Sequence, residues 1–172
     1  MTQQKVIRGS GSLRRLPELM EQLRMRNPLI VGSSSLSWKI HRVPSLEETP
    51  IFSAYHPNPD LADALVGAEM FRDQGRDSIL AVGGGSAMDT AKAIKACLAV
   101  APEDVWANRL PESIPIPILA IPSTAGSGAE ATYNAVIYEK GQKLSLGTPA
   151  LLPDGVGQED RYDTLARAPL AS

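Results

Sequence analysis

Short apolar runs alternate along this chain with longer stretches in which apolar residues recur every three or four positions. Leu29-Ile30-Val31, Ser78 to Val82 and Ile116 to Ile121 have strand length, the last despite Pro117 near its start. Leu13, Leu16, Leu19 and Leu23 form a helical stripe over Ser12 to Met25, with Pro17 in its first turn. Leu61, Leu65, Ala68 and Phe71 form a second stripe, opened by Asp60 and closed by Gly75. Ala87, Ala91, Ile94 and Leu98 form a third, small at its start and bulkier later, as suits a helix whose first turns lie close on a sheet. Leu36 to His41 reads as a short helix and Ile51 to Tyr55 as a weak strand. His56-Pro57-Asn58-Pro59 is a loop, because a residue before proline is pushed out of helix. Pro102 to Pro115 is a polar connection, and Tyr133 to Tyr138 with Lys143 to Leu146 flank Glu139-Lys140-Gly141-Gln142 as a hairpin. From Gly155 to Ser172 no firm periodicity is left. The expected fold is α/β: a Rossmann-like, mostly parallel sheet with flanking helices and a small β-hairpin.

Composition narrows this little but usefully. The chain has 172 residues, 43 % apolar and 21 % charged, which is ordinary for one globular domain with a real core. A net charge of −2 invites neither nucleic acid nor an anionic membrane. No apolar stretch approaches a membrane span, and Met1-Thr2-Gln3-Gln4-Lys5 opens no signal-peptide core, so the expected address is cytoplasmic. The single cysteine, Cys97, falls in the third helical stripe and reads as a small core residue rather than a nucleophile. His41 reads as a surface histidine. Neither it nor His56 has metal-ligand spacing.

The candidate chemistry lies in two turns. Leu80-Ala81-Val82 runs into Gly83-Gly84-Gly85-Ser86 and then a helix. Glycines let a backbone turn sharply and approach a ligand closely. Ser86 is the expected N-cap, and the free N–H groups of the following helix would face an anion in the loop. A merely tight strand–helix turn explains the same residues. Neither Gly-Lys-Ser/Thr nor Gly-x-Gly-x-x-Gly is present, and no paired acids are set for magnesium, so a P-loop hydrolase is a poor reading. After the next strand comes Pro122-Ser123-Thr124-Ala125-Gly126-Ser127-Gly128-Ala129-Glu130, whose hydroxyls and backbone N–H groups could converge on one point. Gly32-Ser33-Ser34 after the Leu29 strand is a third such place, equally well explained as a plain turn. All follow strands, where open α/β sheets bind ligands.

Gly83-Gly84-Gly85-Ser86-x-x-Asp89-x-Ala91-Lys92, followed by Pro122-Ser-Thr-Ala-Gly-Ser-Gly-Ala-Glu130-Ala-Thr132, resembles the iron-dependent (group III) alcohol dehydrogenases. Asn58-Pro59 and Leu152-Pro153-Asp154 fit the same pattern, and the resemblance runs from about Gly9 to Asp154. It implies a dinucleotide-binding domain over residues 1–154, with 155–172 a tail or the start of a second domain. It implies pyrophosphate at Gly84, Gly85 and Ser86, with Gly83 in the same turn. Adenine, ribose and phosphate are implied along Ser123, Thr124 and Ser127. Asp89 is implied near the nicotinamide, with Asn58 and Lys143 also near the cofactor. For Asp89 and Lys92, a solvated helix face is the alternative. Where NAD-preferring members carry an aspartate, Gly32-Ser33-Ser34 has no acid, which favours NADP(H) over NAD(H), although no arginine clamp for a 2′-phosphate stands out either. Family members are about twice as long and draw an aspartate and three histidines for Fe2+ or another divalent metal from a C-terminal helical domain. No such ligand set is visible here.

Two functions follow from the resemblance. One is hydride transfer between a nicotinamide cofactor and a small alcohol or aldehyde. The other is a non-catalytic nucleotide-binding module, its uncovered cleft side favouring a homodimer. Glycerol-phosphate dehydrogenases and dehydroquinate synthase-like enzymes share the general architecture and form a minor alternative.

Overall fold

The computed structural model describes residues 3–123 and 127–158. Its strands are β1 (Lys5–Arg8), β2 (Pro28–Gly32), β3 (Ile51–Phe52), β4 (Ser78–Gly83), β5 (Ile118–Pro122), β6 (Asn134–Glu139), β7 (Gln142–Gly147) and β8 (Gly155–Gln158). Its α-helices are α1 (Leu16–Gln22), α2 (Ser37–Ile40), α3 (Leu61–Asp73), α4 (Gly85–Ala99) and α5 (Pro102–Trp106). Six strands form a parallel sheet in the order β1-β8-β5-β4-β2-β3, and β6 and β7 make a separate antiparallel hairpin. The order reverses between β2 and β4, since the chain leaves β2 outward to β3 and leaves β4 the other way to β5.

Both faces of the sheet are covered, and the period-2 alternation of each strand shows how. Ile79 and Ala81 of β4 pack with Ala91, Ala93 and Ile94 of α4 and with Ala64 and Ala68 of α3. Leu80 and Val82 point the other way, into a second core with Leu16 and Leu19 of α1 and Ile40 of α2. Hence β4 reads as a continuous apolar run, as an inner parallel strand does. Cys97 belongs to the first core, and burial pushes its thiol up to about 12, in keeping with a packing role. The hairpin turns at Lys140 and Gly141, with φ of +50° and +77°. Positive φ at both central positions matches the right-handed twist of its strands. No helix among the described residues is long and apolar enough to cross a membrane.

Four expectations need correction. Ser12 to Met25 is a 3₁₀ turn over Ser12–Arg15 followed by the shorter α1. The strand expected over Ile51 to Tyr55 stops at Phe52, on the sheet edge. The polar connection after α4 begins with α5, opened by Pro102 with Glu103 and Asp104 in its first turn, a favourable helix start that its polarity hides. The sheet also continues past Asp154: β8 lies between β5 and β1.

Candidate cofactor-binding site

The site is built where β4 ends. Gly83 has φ of +147°, and a Cβ there would lie 3.0 Å from that of Ala87, so glycine is needed to leave the strand. Gly84 is the N-cap in extended backbone, and α4 starts at Gly85 with no side-chain cap. Ser86 is therefore not the cap. It sits in the first helical turn, and its hydroxyl donates to the Pro57 carbonyl, tying the 56–60 loop to the glycine turn. The first turn closes with Met88 N–H to the Gly84 carbonyl at 3.2 Å. The N–H groups of a first helical turn have no partner inside the helix and carry its positive dipole end.

The second turn lies against the first. Ser123 N–H donates to the Gly83 carbonyl at 2.9 Å, and a Cβ on Gly85 would stand 3.4 Å from Ser127 Cβ and Oγ. Ser127 is exposed and accepts from Ala129 N–H at 3.3 Å. Thr124 lies outside the described residues. On the other side of β4, Gly32 pairs with Val82, and a Cβ on it would fall 2.6 Å from the Val82 carbonyl oxygen. That glycine is required by strand packing. Ser33 and Ser34 beyond it are exposed, with Ser33 Oγ 2.9 Å from Ser35 Oγ. Gly83, Gly84, Gly85, Ser86, Ser123 and Ser127 thus meet at one end of β4 and β5, with exposed Asn58 beside them on the loop that Ser86 holds. Lys143 is exposed on β7 opposite Tyr138, whose N–H donates to the Pro59 carbonyl at 3.0 Å. It stands at the margin of the same group of loops.

The sequence reading left Asp89 and Lys92 with a solvated face as an alternative, and for Lys92 the structure overturns it. Lys92 is 1 % exposed. Its ammonium donates to the carbonyls of Ala129 at 2.6 Å, Thr132 at 2.8 Å and Asn134 at 2.9 Å. Burial pulls its pKa down to about 8, against the opposing pull of Asp89 and Glu130. Asp89 is half-buried on the same face; burial raises its pKa, offset in part by Lys92 and the Val136 N–H. Together they fasten α4, and so the glycine turn, to the segment following the second turn. The signal available in the sequence was a lysine set among Ala91, Ala93 and Ile94, in the most alanine-rich helix among the described residues.

His56 also has company that its spacing did not suggest. His56, Asp60 and Asp63 bring one ligand-type atom each within 4.8 Å of one another. The set is already committed, however. Asp63 accepts from the N–H groups of His56 at 3.1 Å and Asp60 at 3.0 Å, and His56 Nδ1 lies 2.9 Å from it. Burial opposes the Asp63 charge, but these hydrogen bonds outweigh it and hold the carboxyl below its usual range. The same hydrogen bond raises His56. This is the capping box of α3, and as a donor set it does not fit a resident metal. His41 is likewise engaged, its Nε2 3.0 Å from the Thr49 carbonyl.

Known proteins share both fold and sequence with this chain. Residues 3–156 match the family described as iron-containing alcohol dehydrogenase. The NAD-dependent methanol dehydrogenase of Bacillus methanolicus is 31 % identical over 149 residues, which is 80 % of this chain and 39 % of that one. Lactaldehyde reductase of Escherichia coli K12 is 39 % identical over 110 residues, 60 % of this chain and 28 % of that enzyme. Among solved structures, NADH-dependent butanol dehydrogenase A from Thermotoga maritima superposes with a TM-score of 0.79 at 25 % identity, covering 93 % of this chain and 43 % of its own. Sulfoacetaldehyde reductase from Bifidobacterium kashiwanohense, in complex with NAD+, gives 0.84 at 23 % identity, over 98 % and 47 %. The chain spans less than half the length of these relatives. Their names specify NAD where they specify a cofactor and lend no support to the NADP(H) preference. On its sequence and fold, the chain belongs to the iron-containing alcohol dehydrogenase family.

Proposed function

We propose that this chain binds a nicotinamide dinucleotide, its pyrophosphate on the Gly84–Ser86 turn, as the cofactor half of an alcohol or aldehyde oxidoreductase. The observation that carries this is the uncapped N-terminus of α4 flanked by Ser123 and Ser127 at one end of the sheet. That end is also where the strand order reverses, the usual place for a nucleotide in such sheets. Backbone N–H groups at Gly85, Ser86 and Ala87 would hold the phosphates, and the hydroxyls of Ser123 and Ser127 would orient them. The bound nicotinamide would supply the hydride chemistry. The protein's part is position: Lys92 and Asp89 fix the two turns relative to each other, and the Ser86 contact sets the Asn58 loop. The absence of an acid in Gly32-Ser33-Ser34 leaves NADP(H) as well as NAD(H) to be tested.

Because the His56 group is spent on capping α3, no step is routed through a metal on these residues. A second reading, in which this chain binds nucleotide without turning over substrate, rests on the same glycine turn and is separated from the first by an activity assay. A homodimer belongs to either reading; among the described residues β1 pairs only with β8, and Val6 on it is 43 % exposed, an edge suited to a second copy. A cytoplasmic setting is proposed with it.

Calorimetric titration of NADH and NADPH into the wild-type chain and Gly84→Val tests the proposal. Gly84 has φ of −90° and ψ of −159°, outside the left-handed region that favours glycine, so the substitution adds bulk before the helix without demanding a positive φ. Gly83 would be the wrong probe, since its φ strains any side chain. Binding of either nucleotide, weakened roughly tenfold or more in Gly84→Val, is the expected result. Binding of neither nucleotide, or equal binding by the variant, overturns it.

A further inference from the structure

The end of the sheet opposite the proposed nucleotide turns, where β5 and β8 begin, holds a second cleft. It has a volume of about 680 Å³, within the roughly 300–1,000 Å³ range of small-molecule sites. Lys95 lines it, carried on α4 ten residues beyond Gly85, or about 15 Å along the helix axis. Asp154, which immediately precedes β8 and accepts Ile118 N–H at 2.8 Å, lines it as well.

The position of Lys95 is unusual. The residue is 2 % exposed, and its ammonium makes no hydrogen bond among the described residues. Its ion-pair partner there, Asp154 Oδ2, stands 4.0 Å away, beyond hydrogen-bonding reach. Every fully enclosed side-chain nitrogen or oxygen among the described residues has a hydrogen-bond partner. The Lys95 ammonium is therefore not fully enclosed, and the space it opens onto is this cleft. An ammonium so nearly buried, with a carboxylate beside it but beyond hydrogen-bonding reach, has three donors to offer to whatever occupies the cleft. Lys92, one turn back on the same helix, shows the satisfied case.

The remaining lining chooses the acceptor. Glu112 and Asp154 give two negative charges against one positive, so a simple anion is disfavoured overall. Ile114, Leu152 and Tyr133 supply apolar wall, with Tyr133 52 % exposed. A ligand that carries a carboxylate, an ammonium and an apolar body satisfies all of these at once. We propose that this cleft binds a small aminocarboxylate, its carboxylate on Lys95, its ammonium on Asp154 and Glu112, and its side chain against Ile114, Leu152 and Tyr133. Burial lowers the Lys95 pKa against the opposing pull of Asp154, and in the same low-dielectric setting a carboxylate against the ammonium is worth more than at the surface.

The test needs no nucleotide, so its outcome is separate from that of the cofactor reading. L-phenylalanine is titrated into methyl-labelled protein, following the Ile114 and Leu152 methyls by NMR. Two further titrations use 3-phenylpropionate, which lacks the ammonium, and phenethylamine, which lacks the carboxylate. Saturable shifts with L-phenylalanine are expected, with both analogues weaker by roughly tenfold or more. Lys95→Met should show the same loss while retaining its fold, since it leaves no carbonyl unpaired. Should that variant not fold, the analogue comparison on wild type decides. No saturable shift up to about 10 mM, a concentration at which even a millimolar site would be filled, overturns the proposal. So does phenethylamine binding as well as L-phenylalanine, or a folded Lys95→Met with unchanged affinity.

Discussion

Lys92 sets the balance at the residue scale. Its ammonium is desolvated, which favours the neutral form, yet three carbonyls depend on it. Replacing it with methionine keeps the length and removes the donors, leaving the Ala129, Thr132 and Asn134 carbonyls without their buried partner. A loss of about 1–3 kcal/mol in urea unfolding is expected. The pH dependence has a definite sign. The folded pKa of about 8 lies below the ordinary 10.5. Between those values the unfolded chain holds a proton that the folded chain has released. Stability contributed by this group therefore rises with pH above 8, by at most about 1.4 kcal/mol per unit, and is flat below it. Unfolding of wild type and Lys92→Met at pH 7.5 and 9.5 checks this. The stability gap should widen at the higher pH; a gap that stays constant removes the lysine as its source. Little of this was legible from sequence: the apolar neighbours Ala91, Ala93 and Ile94 hint at burial, but a lysine in a helix is by default a solvated residue, and only the fold shows three carbonyls waiting for it.

The elements were legible where a period was strong. The stripes of α3 and α4 and the run of β4 follow from apolar spacing, and Asp60 and Gly75 mark the ends of α3 as expected, with Gly75 at φ of +62°. What spacing cannot show is how closely two helices cross. A Cβ on Gly67 of α3 would fall 2.3 Å from Ile94 Cδ1, 2.8 Å from Ile94 Cγ1 and 3.2 Å from Phe52 Cε1. Read alone, Gly67 is a weak point in a helix, where alanine should gain about 1 kcal/mol. In the fold the crowding dominates, since overpacking costs about 1–3 kcal/mol. Gly67→Ala should therefore lower the urea midpoint, and adding Ile94→Val, which removes the Cδ1 methyl, should recover much of the loss. If Gly67→Ala stabilises the protein by itself, the two helices are not held in van der Waals contact there. The same crossing holds α4, so it also bears on the glycine turn that α4 begins.

At the scale of the whole molecule, the sheet is organised by a strand that has almost no apolar signal. In β8 only Val156 is a large apolar residue, between Gly155 and Gly157. Its glycines are there because the neighbours come close: a Cβ on Gly155 would lie 2.8 Å from Leu23 Cδ1 and 3.1 Å from Leu119 Cδ1. The partner β1 buries just Ile7, as an edge strand can. Two of six strands were thus hidden by the very features that let them pack, while the turns proposed to hold the nucleotide, whose glycines and serines interrupt the apolar pattern after β4 and β5, stood out. A boundary at Asp154 separates the domain from its own sheet, and that has a measurable consequence. Cutting after Asp154 removes the strand to which β1 is hydrogen-bonded and which β5 needs on its outer side. It strips cover from Leu19 and Leu119, and Ile7 loses the sheet that holds it. A chain ending at 154 is expected to melt without cooperativity or well below the full chain by circular dichroism, and to lose nucleotide binding with it, although every glycine-turn residue is retained. A cut chain that melts with the full chain's midpoint and binds NADH equally would show that β4, β5 and α4 form a self-sufficient cofactor unit without the outer strands.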